Sequence, residues 1–254
     1  MTPRDWDGAT YDRISTPMVE LARPVLDRLG LAGDETVLDA GCGTGRVTEL
    51  LLERLPRGRV IAVDGSPAML EQARERLGGD DRVRLRQADL QRLDLHGQRV
   101  DAILSTATFH WIPDHERLFA RLHATLRPGG RLVAQCGGHG QVAAVDAAAR
   151  EIGARPPFDP YLGDWPGPWT FATAEETAER LEAAGFGEVR TWLERRPVVF
   201  DDRRAWLRAV VLGSHLERLP EDLRDPFLDA VAAAVDGAGE IEYVRLNIDA
   251  TALS

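Results

Sequence analysis

The ten residues TVLDAGCGTG, at positions 36–45, constrain the fold more than any other part of this sequence. Residues 36–40 read as a short buried strand, residues 41–45 are a glycine-rich turn, and a helical pattern begins at Arg46. A glycine turn between a strand and a helix lets backbone N–H groups approach a ligand with no side chain in the way. The stretch therefore predicts a ligand-binding turn in an α/β fold, with an ordinary strand–helix loop as the alternative.

The spacing of the glycines narrows the choice of ligand. Gly41, Gly43 and Gly45 form G-x-G-x-G, whereas the dinucleotide fingerprint is G-x-G-x-x-G, and Arg46 stands where its third glycine would be. An acid, Asp39, lies two residues before the turn. The stretch resembles the first motif of the Rossmann-like class I methyltransferases that use S-adenosylmethionine. The resemblance implies that the turn passes under the methionine part of the cofactor and that Asp39 helps to hold the site.

Apolar runs that read as strands alternate with helical patterns along the rest of the chain. After residues 36–40, the predicted strands cover residues 60–63, 83–85, 100–106, 131–135, 186–200 and 243–250. The resemblance implies a doubly wound, mostly parallel sheet of seven strands with an antiparallel last strand and a helical cap. We expect one methyltransferase domain over residues 1–254: an N-terminal arm and helix (1–30), a cofactor-binding core (31–137) and cap insertions (138–170 and 201–237).

A second acid follows the second predicted strand. Asp64 lies 23 positions after Gly41, and in dinucleotide-binding folds an acid about 20 residues after the glycine turn hydrogen-bonds the ribose hydroxyls. We expect the two carboxylate oxygens of Asp64 to do so here, with an ordinary turn aspartate as the alternative.

The resemblance implies further contacts to the cofactor. Trp6 and Tyr11 would close the site, Met69 would pack on the adenine, and Asp89 would accept a hydrogen bond from the adenine amino group beside the backbone N–H of Leu90. A frayed arm and a core methionine are the alternatives. The predicted cofactor-binding residues are Trp6, Tyr11, Asp39, Gly41, Cys42, Gly43, Asp64, Gly65, Met69, Asp89, Leu90 and Thr106.

The loop after the fourth predicted strand, FHWIPDH at residues 109–115, is the expected acceptor side of the site. Ligands of doubly wound sheets lie beyond the carboxyl ends of the strands, where the strand order switches, so this loop should face the reacting methyl group. Together with LRPGGRL at residues 126–132 and AAGF at residues 183–186, the run is similar to the trans-aconitate methyltransferases and related small-molecule carboxyl methyltransferases.

Methyl transfer from a sulfonium needs alignment more than acid–base chemistry, and a carboxylate acceptor needs no general base. His110 is the candidate catalytic residue, either as an orienter of the acceptor or as a base. An anionic acceptor calls for an arginine, for which Arg13, Arg46 and Arg245 are candidates. The predicted acceptor-binding residues are His110, Trp111, Arg13, Trp165, His215 and Tyr243.

Composition excludes several other classes of protein. The net charge of −10 argues against nucleic-acid binding, and all 31 basic residues are arginine, which excludes Schiff-base chemistry on lysine. No apolar run is long enough to span a membrane, and the first residues carry no export signal. Two cysteines, Cys42 and Cys136, predict no disulfide framework and a cytoplasmic protein. The six histidines show no metal-ligand spacing.

We therefore expect a cytoplasmic methyltransferase, monomeric or homodimeric, that methylates a small and anionic acceptor, in the first place on a carboxylate oxygen. O-, N- or C-methylation of a natural-product intermediate and carboxyl methylation of a malonyl carrier protein are alternatives within the same fold. Two other classes stay open: a cofactor-binding protein that transfers no methyl group, and a nicotinamide dehydrogenase, against which Arg46 argues.

Overall fold

A computed structural model describes residues 16–198, 202–236 and 241–254. Its seven strands form one sheet in the order β3-β2-β1-β4-β5-β7-β6. β1 to β5 are parallel to one another and β7 is antiparallel to β5, which confirms the predicted sheet. The strands are β1 (Thr36–Ala40), β2 (Arg59–Asp64), β3 (Val83–Gln87), β4 (Val100–Thr106), β5 (Leu126–Gly137), β6 (Phe186–Val198) and β7 (Ile241–Ala252).

Helices connect the strands and also fill the two segments that interrupt the alternation. They are α1 (Thr16–Leu29), α2 (Arg46–Glu53), α3 (Pro67–Leu77), α4 (His115–Thr125), α5 (Ala143–Gly153), α6 (Asp159–Leu162), α7 (Ala174–Ala183), α8 (Arg203–Trp206), α9 (Gly213–Arg218) and α10 (Glu221–Val235). Short 3-10 turns cover Leu90–Arg92 and Phe109–Trp111, and a π-helical turn covers Leu207–Val211.

The sheet has a hydrophobic core on each face, because successive side chains of a strand point in opposite directions. Leu38 of β1 belongs to a cluster with Leu118 and Phe119 of α4. Its neighbour Val37 belongs to a second cluster with Leu26 of α1 and Leu51 of α2. Helices therefore cover both faces, as the nearly continuous apolar sequences of the central strands require.

The strand order reverses between β1 and β4. From β1 the chain proceeds outward through β2 to β3, then returns to place β4 on the other side of β1. The carboxyl ends of β1 and β4 thus flank a topological switch point, the place where doubly wound sheets bind ligands.

Two predicted element boundaries were wrong. The turn sequence at residues 127–130 predicts that the helix ends there and that the fifth strand begins at Arg131, but α4 already ends at Thr125 and β5 begins at Leu126, with a register shift against β4 between Val100 and Ala102. The apolar pattern around residues 205–216 predicts one helix, but the structure divides these residues among α8, the π-helical turn and α9.

The described residues divide into two compact units. The first lies within Met1–His139, Thr170–Glu194 and Arg245–Ser254, and contains most of the sheet. The second lies within Gly140–Trp169 and Arg195–Val244, which include most of the two predicted cap insertions. Across residues 16–198, 202–236 and 241–254, every helix is too short or too polar to cross a lipid bilayer.

Candidate functional site

The glycine turn, residues 41–45, begins with the backbone bonded to β2. The N–H groups of Gly41 and Cys42 both donate to the carbonyl of Val63, at 2.8 and 3.0 Å. Gly41 has a φ of +89°, and a Cβ at this position would lie 2.1 Å from Oγ1 of Thr108 in the loop after β4. Gly41 therefore permits both the left-handed backbone and the close approach of the β4 loop.

The next two glycines of the turn face different surroundings. Gly45, with a φ of +82°, packs against α3, where an added Cβ would lie 2.7 Å from Cδ1 of Leu77. Gly43, with a φ of +54°, faces open space: an added Cβ would meet no atom of the described residues within 4 Å. The backbone of the turn is thus left uncovered at Gly43 by the described residues.

Asp64, the last residue of β2, holds the glycine turn and the start of α3 together. Its Oδ2 accepts a hydrogen bond from the N–H of Gly43 at 2.9 Å, and its Oδ1 accepts one from the N–H of Ser66, also at 2.9 Å. Burial raises the pKa of Asp64 above its ordinary value, although these N–H donors oppose the rise. Each oxygen still has a second lone pair with which to accept a ligand hydroxyl.

Asp39 is fully buried in β1 and bonded to the first turn of α2. Its Oδ2 accepts a hydrogen bond from the hydroxyl of Thr48 at 2.6 Å. Burial raises the pKa of Asp39 to about 7, against the lowering effect of Thr48, and the nearby charge of Asp64 adds to the rise. Burial, together with these two acids, also raises the pKa of the Cys42 thiol well above its ordinary value.

The predicted adenine side of the site lies at the ends of β2 and β3. Ser66 caps α3 by accepting from the N–H of Met69 at 3.2 Å, as Ser-Pro at residues 66–67 predicted, and Met69 is buried. Asp89 begins the 3-10 turn by accepting from the N–H of Gln91 at 2.9 Å, and Leu90 is buried behind it. Gly65 and Thr106, both half-buried, follow β2 and end β4.

His110 is buried in the 3-10 turn after β4, and a backbone group fixes its tautomer. The N–H of Gly137, at the end of β5, donates to Nδ1 of His110 at 3.2 Å. A backbone N–H can only donate, so Nδ1 must present its lone pair. Burial lowers the pKa of His110 well below its ordinary value, and the charge of Arg245 lowers it further. The ring is therefore neutral, with its proton on Nε2.

The surroundings of His110 fix the position of its ring as well. Its carbonyl accepts from the N–H of Thr170 at 2.8 Å, and its ring stacks on Phe171 with centroids 5.8 Å apart. Trp111, half-buried, lies beside it at 5.1 Å between ring centroids. His110 therefore presents an N–H donor from a rigid position.

A buried arginine of β7 lies close to His110. Arg245 pairs with Gly137 in the register of β5 and β7 and is only 4% exposed. Its Nε donates to Oε1 of Gln135 at 3.3 Å, and Nε2 of Gln135 donates to Oδ1 of Asn247 at 2.9 Å. We call Gln135 and Asn247 the amide pair. Of Arg46 and Arg245, the two candidate arginines among the described residues, Arg245 is the one whose charge acts on His110.

Arg46 is half-buried at the start of α2. Trp6, Tyr11 and Arg13 fall outside the described residues.

Three of the predicted residues lie inside the second unit. His215 is buried among aromatic rings, with its ring centroid 4.8 Å from that of Trp165 and 5.9 Å from that of Phe227. Tyr243 is buried and its hydroxyl accepts from Nε1 of Trp206 at 3.2 Å. These contacts belong to the interior of the second unit, and the proposed contacts of Trp165, His215 and Tyr243 with the acceptor stay predictions.

Sequence reasoning missed several residues that shape the site. Thr48 donates a hydrogen bond to Asp39, and Thr108 lies against Gly41. The amide pair orients Arg245. Thr48 could have been found, because it lies in the first turn of the helix that follows the glycine turn. The amide pair could not, because its two members are 112 residues apart and meet only through the antiparallel pairing of β7.

Comparison with known proteins agrees with this geometry. Residues 37–130 match the family model of the methyltransferase domain. A trans-aconitate 2-methyltransferase from Azoarcus sp. (strain BH72) is 33% identical over 246 residues, which cover 92% of this chain and 90% of that protein. A second one, from Methylobacterium radiotolerans, is also 33% identical, over 245 residues, with the same coverage.

Among solved structures, the phosphoethanolamine N-methyltransferase 2 of Haemonchus contortus, in complex with S-adenosyl-L-methionine, shares the fold. Its TM-score is 0.65 at 18% identity, over 97% of this chain and 57% of that chain. By its fold and its relatives, this chain belongs to the class I methyltransferases that depend on S-adenosylmethionine, the family that includes the trans-aconitate 2-methyltransferases.

Proposed function

We propose that the glycine turn and the acids around it hold S-adenosylmethionine. The residues fit this group, because no atom of the described residues covers Gly43 and because Asp64 keeps one lone pair on each oxygen for the ribose hydroxyls. Asp89 would accept from the adenine amino group. When bound, the cofactor supplies a methyl group already activated on a sulfonium. The chain then has to position the acceptor and exclude water.

We propose that the acceptor atom is a carboxylate oxygen of a small organic acid. The tautomer of His110 is the observation that carries this proposal. Because Nδ1 already accepts from Gly137, the ring offers an N–H donor at Nε2 and no lone pair for a substrate proton. A carboxylate is ionised at neutral pH, needs no base and accepts such a donor. An alcohol, phenol or ammonium group would have to lose a proton.

The relatives favour an acid related to trans-aconitate. Proteins named for methylation of this acid match over nine-tenths of the chain at about one-third identity. We therefore propose trans-aconitate, or an unsaturated acid with the same carboxylates, as the first acceptor to try. The neutral donor of His110 and the buried charge of Arg245 both suit an anionic acceptor.

The proposal is tested by methyl transfer from labelled S-adenosylmethionine to a panel of small acids, phenols and amines. We expect counts in a product that releases volatile methanol in base, with trans-aconitate among the best acceptors. A base-stable product would move the acceptor atom to a hydroxyl, a nitrogen or a carbon and would contradict a carboxylate.

If no acceptor of the panel is methylated, a second measurement is needed. Binding of S-adenosylhomocysteine by calorimetry then separates a missing acceptor from a failed cofactor site.

A solved [4+2]-cyclase with the same fold, at a TM-score of 0.60 and 20% identity over 93% of this chain and 81% of that chain, shows that the fold also occurs in a protein named for a different reaction.

A further inference from the structure

The first turn of α4 is bonded to two loops that the proposed function assigns to different ligands. The 3-10 turn after β4 carries His110, on the acceptor side, and the 3-10 turn after β3 begins at Asp89, on the adenine side. One residue of α4 is bonded to each turn: His115 to the first and Arg117 to the second. Neither residue belongs to the site predicted from the sequence.

His115 holds the residue directly before His110. Its Nε2 lies 2.9 Å from the carbonyl oxygen of Phe109, and the residue is only 4% exposed. A carbonyl oxygen can only accept, so Nε2 must carry a proton. Burial lowers the pKa of His115 and the charge of Arg180 lowers it further, although the carbonyl of Phe109 opposes the change. The ring is therefore a neutral donor, bonded to the backbone beside His110.

The second ring nitrogen of His115 argues that stability alone does not account for a histidine here. A neutral ring with its proton on Nε2 has a lone pair on Nδ1. Nδ1 is buried and has no hydrogen-bond partner among the residues that the structure describes. A buried acceptor left unpaired is destabilising, and an aliphatic side chain would avoid that cost. The position is therefore a candidate for a role in the reaction.

The side chain of Phe109 is held by the same helix as its carbonyl. Its ring meets that of Phe119 in α4 edge to face, with centroids 5.9 Å apart. Leu90, next to Asp89, belongs to the same buried cluster as these two rings. The apolar parts of both 3-10 turns are thus packed in the core that α4 covers.

Arg117 makes the corresponding contact on the adenine side. Its Nε donates to the carbonyl of Gln91 at 2.9 Å. Gln91 in turn donates to Oδ1 of Asp89, through its backbone N–H at 2.9 Å and through its side-chain nitrogen at 3.4 Å. Both bonds go to one oxygen, so Oδ2 is the oxygen of Asp89 that suits the adenine amino group of the proposed cofactor.

We propose that the first turn of α4 positions both substrates of the reaction: His115 positions His110 toward the acceptor, and Arg117 positions Asp89 toward the adenine. Both act through another residue, so they are positioning residues and not catalytic ones. A single helix that holds the two turns keeps the acceptor aligned with the activated methyl group, which is the main demand of this chemistry. This inference rests on the proposed function.

Three variants test the donor of His115. In His115→Gln the amide nitrogen reaches the place of Nε2, in His115→Asn it reaches only that of Nδ1, and His115→Leu has no donor. With the best acceptor of the panel, we expect His115→Gln to keep kcat within about threefold of wild type. The other two should lose about 10- to 100-fold, more in kcat than in KM, because the acceptor is misaligned. Equal kcat in His115→Gln and His115→Asn would overturn the role of His115.

Arg117 should show the opposite pattern. Arg117→Met keeps most of the aliphatic stem and removes the donor, so we expect the dissociation constant of S-adenosylhomocysteine to rise about three- to tenfold. KM for S-adenosylmethionine should change more than kcat. Arg121→Met, at an exposed position one turn further along α4, is the matched control and should change neither. An unchanged dissociation constant in Arg117→Met would overturn the role of Arg117.

Failure of the proposed function gives a different result. If wild type methylates no member of the panel, nitrogen-15 NMR of the histidine rings still reports on His110. Wild type and His115→Gln should show His110 as the single tautomer with its proton on Nε2. His115→Asn and His115→Leu should show a mixture of tautomers, because the ring no longer stays bonded to Gly137. An unchanged signal of His110 in these two variants would overturn its positioning by His115, even if carboxyl methylation stands.

Discussion

Oδ2 of Asp64 accepts a hydrogen bond from the backbone N–H of Gly43 at 2.9 Å. The acid that ends β2 therefore fixes the one glycine of the turn that no other described residue covers. In the proposed site this carboxylate has two tasks: it shapes the turn and it accepts the ribose hydroxyls. A substitution of Asp64 should therefore affect both the stability of the protein and the binding of the cofactor.

We expect Asp64→Ala to weaken binding of S-adenosylhomocysteine by about 1.5–3 kcal/mol, the usual effect of losing hydrogen bonds to a charged group. Asp64→Asn should lose less, because its one carbonyl oxygen still accepts. Calorimetric titration measures both, and Asp34→Ala, which removes an exposed acid, is the control. An unchanged dissociation constant for S-adenosylhomocysteine in Asp64→Ala would contradict the proposed contact of Asp64 with the ribose hydroxyls.

The glycines of the turn should respond differently to alanine. Gly41→Ala places a Cβ against Thr108 at a φ of +89°, so it should destabilise the protein by about 2 kcal/mol or more as well as reduce cofactor binding. Gly43→Ala meets no atom of the described residues, so it should cost about 1 kcal/mol of stability yet strongly reduce binding.

Urea unfolding and S-adenosylhomocysteine titration separate the two effects. Gly79→Ala is the control, since its Cβ also meets open space among the described residues and its φ is not left-handed. Unchanged cofactor binding by Gly43→Ala would show that the ligand does not approach the turn there.

Asp39 should make the protein less stable as the pH rises. Its pKa is about 7 in the folded protein and 3.8 ordinarily, so the folded state binds the proton more tightly than the unfolded state. The contribution to the free energy of unfolding is fully present below pH 3.8 and is lost as the pH rises through about 7. Its size is on the order of 4 kcal/mol at most.

Asn at position 39 cannot ionise, so the free energy of unfolding of Asp39→Asn should depend less on pH. The variant should therefore gain stability relative to wild type as the pH rises from 5 to 8. Urea midpoints at the two pH values measure the change. The raised pKa of Asp64 leaves a residual slope of the same sign in both proteins. Parallel curves for wild type and variant would mean that Asp39 is ionised in the folded state throughout.

Variants of His110 distinguish an orienter from a base. Gln at this position can supply a donor near the place of Nε2, whereas Ala supplies none, so His110→Gln should retain at least tenfold more activity than His110→Ala. The pH–rate profile of wild type should show the same ionisations as that of His110→Gln. Equal inactivity of the two variants, with an ionisation near pH 6–7 lost in both, would indicate a base.

The central strands were predictable because their sequences allow few alternatives. Buried parallel strands require short, nearly continuous apolar runs, and residues 60–63 and 100–106 fit little else. The break in the helix predicted at residues 205–216 was not predictable, because a π-helical turn at Leu207–Val211 keeps the helical spacing of apolar residues. The start of β5 was misplaced because Pro128 and the glycines after it stop a helix without showing that a strand has already begun.

The site was predictable where one local motif carries it. The turn at residues 41–45 and Asp64 are readable from their spacing along the chain. The tautomer of His110 depends on a backbone N–H 27 residues away, and the proximity of Arg245 to His110 depends on the pairing of β7 with β5. Both are long-range facts, set by the register of the sheet.

The surroundings of the two cysteines have a consequence for chemical durability. Burial and the neighbouring acids keep Cys42 protonated, and burial raises the pKa of Cys136 to about 12. Oxidants and alkylating reagents attack the thiolate, so both sulfurs should react slowly at neutral pH although they lie beside the proposed binding regions. The burial of these two thiols should therefore let the enzyme survive oxidising conditions without a reductant.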